Sequence, residues 1–182
     1  MDRRTFVQES LWISLGWSAL PLSKGSSRVH SQDQQSEDEH VAQNEKFKQN
    51  WISSLMENLD RHLDEDTRIK LMESCGRSCA RQESIKIAES CLGDLESLVS
   101  RLGKIIGKQN ASMEEGIVHL QYDKCYCPLV SKGPKILSDT WCNCSRGWVK
   151  EMFETAAEKP VKVELLQSIK RGDPCCKFIL QL

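Results

Sequence analysis

The sequence carries almost no net charge: 25 Lys and Arg against 26 Asp and Glu leave −1 over 182 residues. Without a concentrated basic excess a protein has little grip on phosphate backbones, so nucleic acid is not an expected partner. Long hydrophobic runs are also missing. The most apolar stretch, residues 11–22, is broken by Ser14, Gly16, Ser18 and Pro21 and is too short to span a bilayer. There is no Gly-rich phosphate loop and no Ser-His-Asp arrangement, which argues against phosphoryl transfer and serine hydrolysis. A composition of 39% hydrophobic and 28% charged residues excludes a transmembrane bundle, a collagen-like chain and a mostly disordered polymer. The length suits one domain. What stands out by abundance is cysteine: nine, none before Cys75, and an odd number that cannot all pair within one molecule.

Along the chain, Arg3 and Arg4 are followed by Phe6 and a weakly apolar body. This order resembles the twin-arginine signal of bacterial export, with Asp2 where Ser or Thr usually stands; the alternative is a disordered basic tail. The resemblance implies a signal segment over 1–30 and a periplasmic or otherwise exported bacterial protein, with no stable membrane insertion once the signal is removed. It also implies folding before export, so thiols could be loaded with metal in the reducing cytoplasm. Residues 31–45 are acidic and almost devoid of large apolar side chains, which predicts a disordered linker.

Residues 46–182 read as a single cysteine-rich α+β domain, helical over 46–110 and built as hairpin, helix, hairpin over 115–182. Phe47, Trp51, Ile52, Leu55, Met56, Leu59 and Leu63 have helical spacing, and 64–67 predict a turn and N-cap before a second helix carrying Ile69, Met72, Cys75 and Cys79. A third apolar run ends near Gly107. Val118, Leu120 and Tyr122 alternate with polar neighbours as in a strand, a short helix holds Trp148, Val149, Met152 and Phe153, and 161–165 pairs with 175–180 around a Gly-Asp-Pro turn. The expected architecture is N-terminal helices packed on an antiparallel sheet.

Cys125-x-Cys127 and Cys142-x-Cys144 are separated by fourteen residues, enough for the chain to fold back and bring four sulfurs together. Side chains at i and i+2 point the same way on a strand and join each other poorly as a disulfide, which suits each pair to chelation or to bridging elsewhere. Metal ligation, structural disulfides and free thiols are the three readings. Cys75 and Cys79, one helical turn apart beside Arg77 and Arg81, are either core residues or accessory metal or redox thiols. Cys91 reads as core. Cys175 and Cys176 face opposite sides of their strand, and Cys176, sharing its side with Phe178 and Leu180, reads as core, leaving Cys175 as the ligand candidate. His119 is a possible ligand or base, or an ordinary surface residue; Glu164 is either solvated or turned toward the cysteines.

Residues 142–182, with Cys142, Gly147, Trp148, the helix to Ala157, the Lys-Pro-Val at 159–161, Glu164, Gly172-Asp-Pro174 and Cys175, resemble the 4-vinyl reductase-type ligand-binding domain of bacterial aromatic sensors. That resemblance implies an α+β fold in which Cys142, Glu164 and Cys175 hold zinc, with iron as second choice, beside a pocket for a small hydrophobic molecule. Gln167 departs from the family pattern, where another cysteine stands. A looser likeness, carried by Cys-Gly-Arg-x-Cys at 75–79 and the same hairpin, is to the thiazoline-carboxylate hydrolases, which cleave a cyclic C–N bond. Three functions follow: a metal-binding module whose pocket is lined by Trp148 and Phe153, a metal-assisted hydrolase using His119 or Glu164 to move the proton, and a thiol redox or metal-carrier protein.

Overall fold

The computed structural model describes residues 29–133 and 137–182, of which 40–182 belong to one compact unit. The signal segment expected over 1–30 lies, but for its last two residues, outside the described residues. Residues 31–45 are not a linker: they belong to helix α1, Val29–His62. That helix contains neither Gly nor Pro and carries five Gln and four Glu, so backbone propensity continues it where no apolar face demands it. In its second half Ile52 and Met56 turn inward, while Phe47 and Trp51, expected on the same face, are exposed.

Helix α2, Glu65–Glu83, starts at the predicted cap. The Asp64 carboxylate accepts the Thr67 backbone N–H at 2.9 Å and the Thr67 hydroxyl at 2.7 Å, satisfying donors that a first helical turn leaves open. A short helix α3, Ile85–Glu89, is followed by α4, Leu95–Ile106, which Asp94 caps in the same way through Ser97. Strands β1, Ala111–Glu114, and β2, Ile117–Tyr122, are joined by Glu115 and Gly116, both at positive φ (49° and 78°), as a two-residue hairpin loop with the right twist requires. Helix α5, Asp139–Ala157, crosses to β3, Lys162–Gln167; β4, Cys176–Gln181, completes an antiparallel sheet of order β1-β2-β4-β3. The fold is α+β, hairpin, helix, hairpin, with helices on one face of the sheet.

That face carries Val118, Leu120, Val163, Phe178 and Leu180, which form the main core with Leu98, Val99 and Leu102 of α4 and Val149, Met152, Phe153 and Ala156 of α5. A second, smaller core joins Ile52, Met56 and Met72 to Val130, Leu137, Trp141 and Cys142, with Cys125, Cys127 and Cys144 packed against it. Among the described residues no helix is long and apolar enough to cross a membrane.

Candidate thiolate site

All nine cysteines are described and all are free thiols. Cys91 is buried in the main core, as expected. The other eight come from four segments: α2, the loop after β2, the first turns of α5, and the start of β4.

Helix α5 begins earlier than its apolar pattern suggests. Ser138 caps it, accepting the Thr140 N–H at 3.2 Å, and Asp139 favours the positive end of the helix. Cys142 and Cys144 therefore lie on a helix rather than on a bend or strand. Two helical residues subtend about 200° around the axis, so the two side chains leave α5 in opposite directions instead of side by side.

Cys142 turns toward the β3–β4 connection. The completely buried Ser168 donates its hydroxyl to the Cys142 sulfur at 2.7 Å and lies within hydrogen-bonding reach of Cys176 as well. The same oxygen accepts the Lys170 N–H at 3.2 Å. A register shift between Leu165 and Gln167 precedes this turn. The Ile169 N–H points at the Cys176 sulfur at 3.5 Å, and Cys176 pairs with Tyr122 across β2 and β4. Cys125, three residues past Tyr122, is an electrostatic neighbour of both Cys142 and Cys176. Cys176, expected in the core, does pack half-buried against it and is also the β4 thiol that neighbours Cys142. Cys175 is also buried, its thiol bonded to the Gln167 carbonyl at 3.2 Å, so Gln167 occupies the neighbourhood in which the resemblance placed another cysteine.

Cys144 turns toward α2. The two helices touch through glycines: a Cβ on Gly76 would strike the Cys144 carbonyl, and one on Gly147 would strike the Glu73 backbone. Cys75 and Cys79 flank Gly76, are exposed rather than core, and are electrostatic neighbours of Cys144. Arg77 and Arg81, which the sequence suggested could activate these thiols, are instead paired with acids of α5. Arg77 reaches Glu151 at 2.6 Å and Glu154 at 2.7 Å, and Arg81 reaches Glu151 at 2.7 Å. A fourth α2–α5 pair joins Arg146 to Glu73. Cys127 opens the turn after Pro128, its carbonyl accepting the N–H groups of Val130 at 3.2 Å and Ser131 at 2.9 Å, and its thiol neighbours are Cys125 and Cys79.

Burial sets the protonation of these groups. It pushes the Cys144 thiol up to about 12, with Cys127, Cys79, Cys75 and Cys142 adding to the effect. Burial likewise takes Cys142 to about 11, although the Ser168 hydroxyl and Arg171 act against it. Cys127 and Cys176 are raised by burial in the same sense. Protonated thiols of this kind are poor nucleophiles.

The other predicted site residues lie elsewhere. Glu164 is exposed on the outer face of the sheet and pairs with Lys162 at 2.7 Å, so the structure does not bring it to the sulfurs. His119 shares that outer face: the register runs His119 to Ile179 to Glu164 across β2, β4 and β3. An open depression of about 590 Å³ there is lined by Glu114, Glu115, Ile117 and His119 and is too polar for a hydrophobic guest. Phe153, expected to line an apolar pocket, is completely buried in the main core with Trp148 packed beside it. As placed, no three His, Cys, Asp or Glu side chains among the described residues converge tightly enough to hold a metal ion. The donor chemistry suits a soft cation, but the reduced thiols stand short of a coordination shell.

No curated protein matches this chain. Residues 24–181 match the family of unknown function DUF6144, and the chain belongs to that family.

Proposed function

We propose that the protein is a thiol-rich module that binds a soft metal ion, zinc before iron, in a structural or carrying role rather than a catalytic one. One observation carries this reading: thiols from four distant segments lie near the first turns of α5, with the Ser168 hydroxyl donating to the Cys142 sulfur and the Ile169 N–H to that of Cys176, as the outer shell of a thiolate site requires. Binding would replace thiol protons by the cation and draw the sulfurs inward, so metal uptake is coupled to closure of the site. The hydrolase reading is weaker, because its intended proton carriers, His119 and Glu164, lie on the sheet face opposite the one against which α5 packs. A twin-arginine leader accords with loading before export.

The test is titration of the reduced protein with Zn(II) and Co(II). Reversible uptake, with a sulfur-to-cobalt charge-transfer band abolished by chelator, is expected. Metal content no higher than that of the Cys-free control protein, with no such band, overturns the proposal.

A further inference from the structure

The second half of α1 has two faces, and its own chain covers one of them. At about 100° per residue, Gln49, Ile52 and Met56 share a side and are buried, whereas Phe47 and Trp51 lie about 160° and 200° round the axis from Gln49. These two aromatic side chains are 69% and 58% exposed, turned away from the second core. Large aromatic residues left in water forgo the free energy of burial, and at protein interfaces they carry a large share of the binding. His40, Asn44, Ser54 and Asn58 extend the same stripe and are exposed too, so these six residues, spread over about 27 Å, include no Lys, Arg, Asp or Glu.

We propose that a second copy of this chain docks on the stripe, its α1 running antiparallel across a two-fold axis at the level of Gln49. The order of residues along the stripe suits self-pairing. Counted outward from position 49, Phe47 is matched by Trp51, Asn44 by Ser54 and His40 by Asn58. An antiparallel copy sets each against its match, with two Phe–Trp contacts at the centre and pairs of uncharged hydrogen-bonding side chains on either side. Charge complementarity fixes the direction. Arg61 and Glu39 are exposed at the two ends of the stripe, about 120° and 80° round α1 from Gln49 and so on one flank. The two-fold brings Arg61 beside the partner's Glu39 at both ends, whereas a parallel copy at the same level would hold these groups about 33 Å apart. An anionic membrane surface fits less well. A helix lying on such a surface carries Lys and Arg along its margins, but here Glu57 adjoins Lys46 on one margin, and on the other Lys48 is paired with Glu45 at 2.8 Å. Because Ile52 and Met56 tie α1 to its own chain on the far side, the rest of each copy stays outside the helix pair. A few helical turns from each copy bury less than a standard stable interface, so the dimer is reversible and concentration-dependent.

The experiment is sedimentation equilibrium of the reduced, metal-free full-length protein, of Phe47→Glu and of Trp51→Lys, each alone and the two variants mixed in equal amounts. Both residues are exposed in the single chain, so neither substitution disturbs its core, and unchanged helical circular dichroism checks this. The parent is expected to pass from the mass of one chain to that of two as concentration rises. Each variant should raise the dissociation constant at least about thirtyfold, as loss of a central aromatic anchor does. The mixture should associate more tightly than either variant alone, since a mixed dimer keeps one Phe–Trp contact and sets the introduced carboxylate against the introduced ammonium. The mass of a single chain at every concentration overturns the proposal, whether or not the protein binds vesicles of anionic phospholipid. A dimer that both variants leave intact overturns it as well, and so does a mixture no tighter than its components.

Discussion

Ser168 is the polar residue on which the β3–β4 side of the site turns. Its hydroxyl serves the Cys142 sulfur and the Lys170 N–H, and its own N–H is taken by Asp173 at 2.7 Å. Ser168→Ala removes a turn-capping acceptor and a thiol partner in a buried setting; a loss of about 2 kcal/mol in urea unfolding is expected. The thiols themselves differ in reactivity. With its pKa near 11, Cys142 holds about a thousandth of its population as thiolate at about pH 8 and is also shielded, whereas Cys75 and Cys79 are exposed. Under native conditions without metal, iodoacetamide should label Cys75 and Cys79 at least about tenfold faster than Cys142, read by peptide mass spectrometry. That Cys125, Cys127, Cys142 and Cys144 come to one region of the fold was legible from spacing. The outward placement of His119 and Glu164 was not, because alternation along a strand gives two faces without saying which one a helix covers.

At the scale of elements, the α2–α5 crossing positions half of the sulfurs. Gly147→Ala would drive a methyl group into the Glu73 backbone, which cannot yield as a flexible side chain would, so a destabilisation of about 3 kcal/mol is expected from thermal or chemical denaturation. The crossing is also held by charge. Burial opposes ionisation of Glu151, but Arg81 and Arg77 outweigh it and keep its carboxyl below the ordinary 4.5. A depressed folded-state pKa contributes stability that is present above the unfolded value and lost as pH falls through the folded one. The gap in Tm between the parent and Glu151→Gln should therefore narrow from about pH 6 to about pH 3; a constant gap would show that the ion pairs contribute nothing. The capped start of α2 could be predicted because Asp64 and Thr67 announce it locally. The early start of α5 was obscured by its sequence, Cys-Asn-Cys-Ser-Arg-Gly, whose weak helix formers are held by the Ser138 cap and by packing on α2. Residues 31–45 were misread for the converse reason: their lack of apolar side chains says nothing against helix propensity.

For the molecule as a whole, metal should act as a folding ligand. If zinc binds only the folded protein, a hundredfold excess over its Kd adds about 2.7 kcal/mol, so Tm should rise on addition of Zn(II) and fall back with chelator, measured by calorimetry. The α+β class, the helical first half and the final hairpin could be read from periodicity. The strand order could not, since nothing local tells β4 to insert between β2 and β3 rather than at an edge. That insertion has a consequence for biosynthesis. The ribosome makes the keystone strand after both of the strands it joins, and Cys176 arrives with it. Until residues 176–181 have been translated, β2 and β3 share no neighbour and Cys142 has no β4 thiol to face, so products truncated before β4 cannot close the sheet.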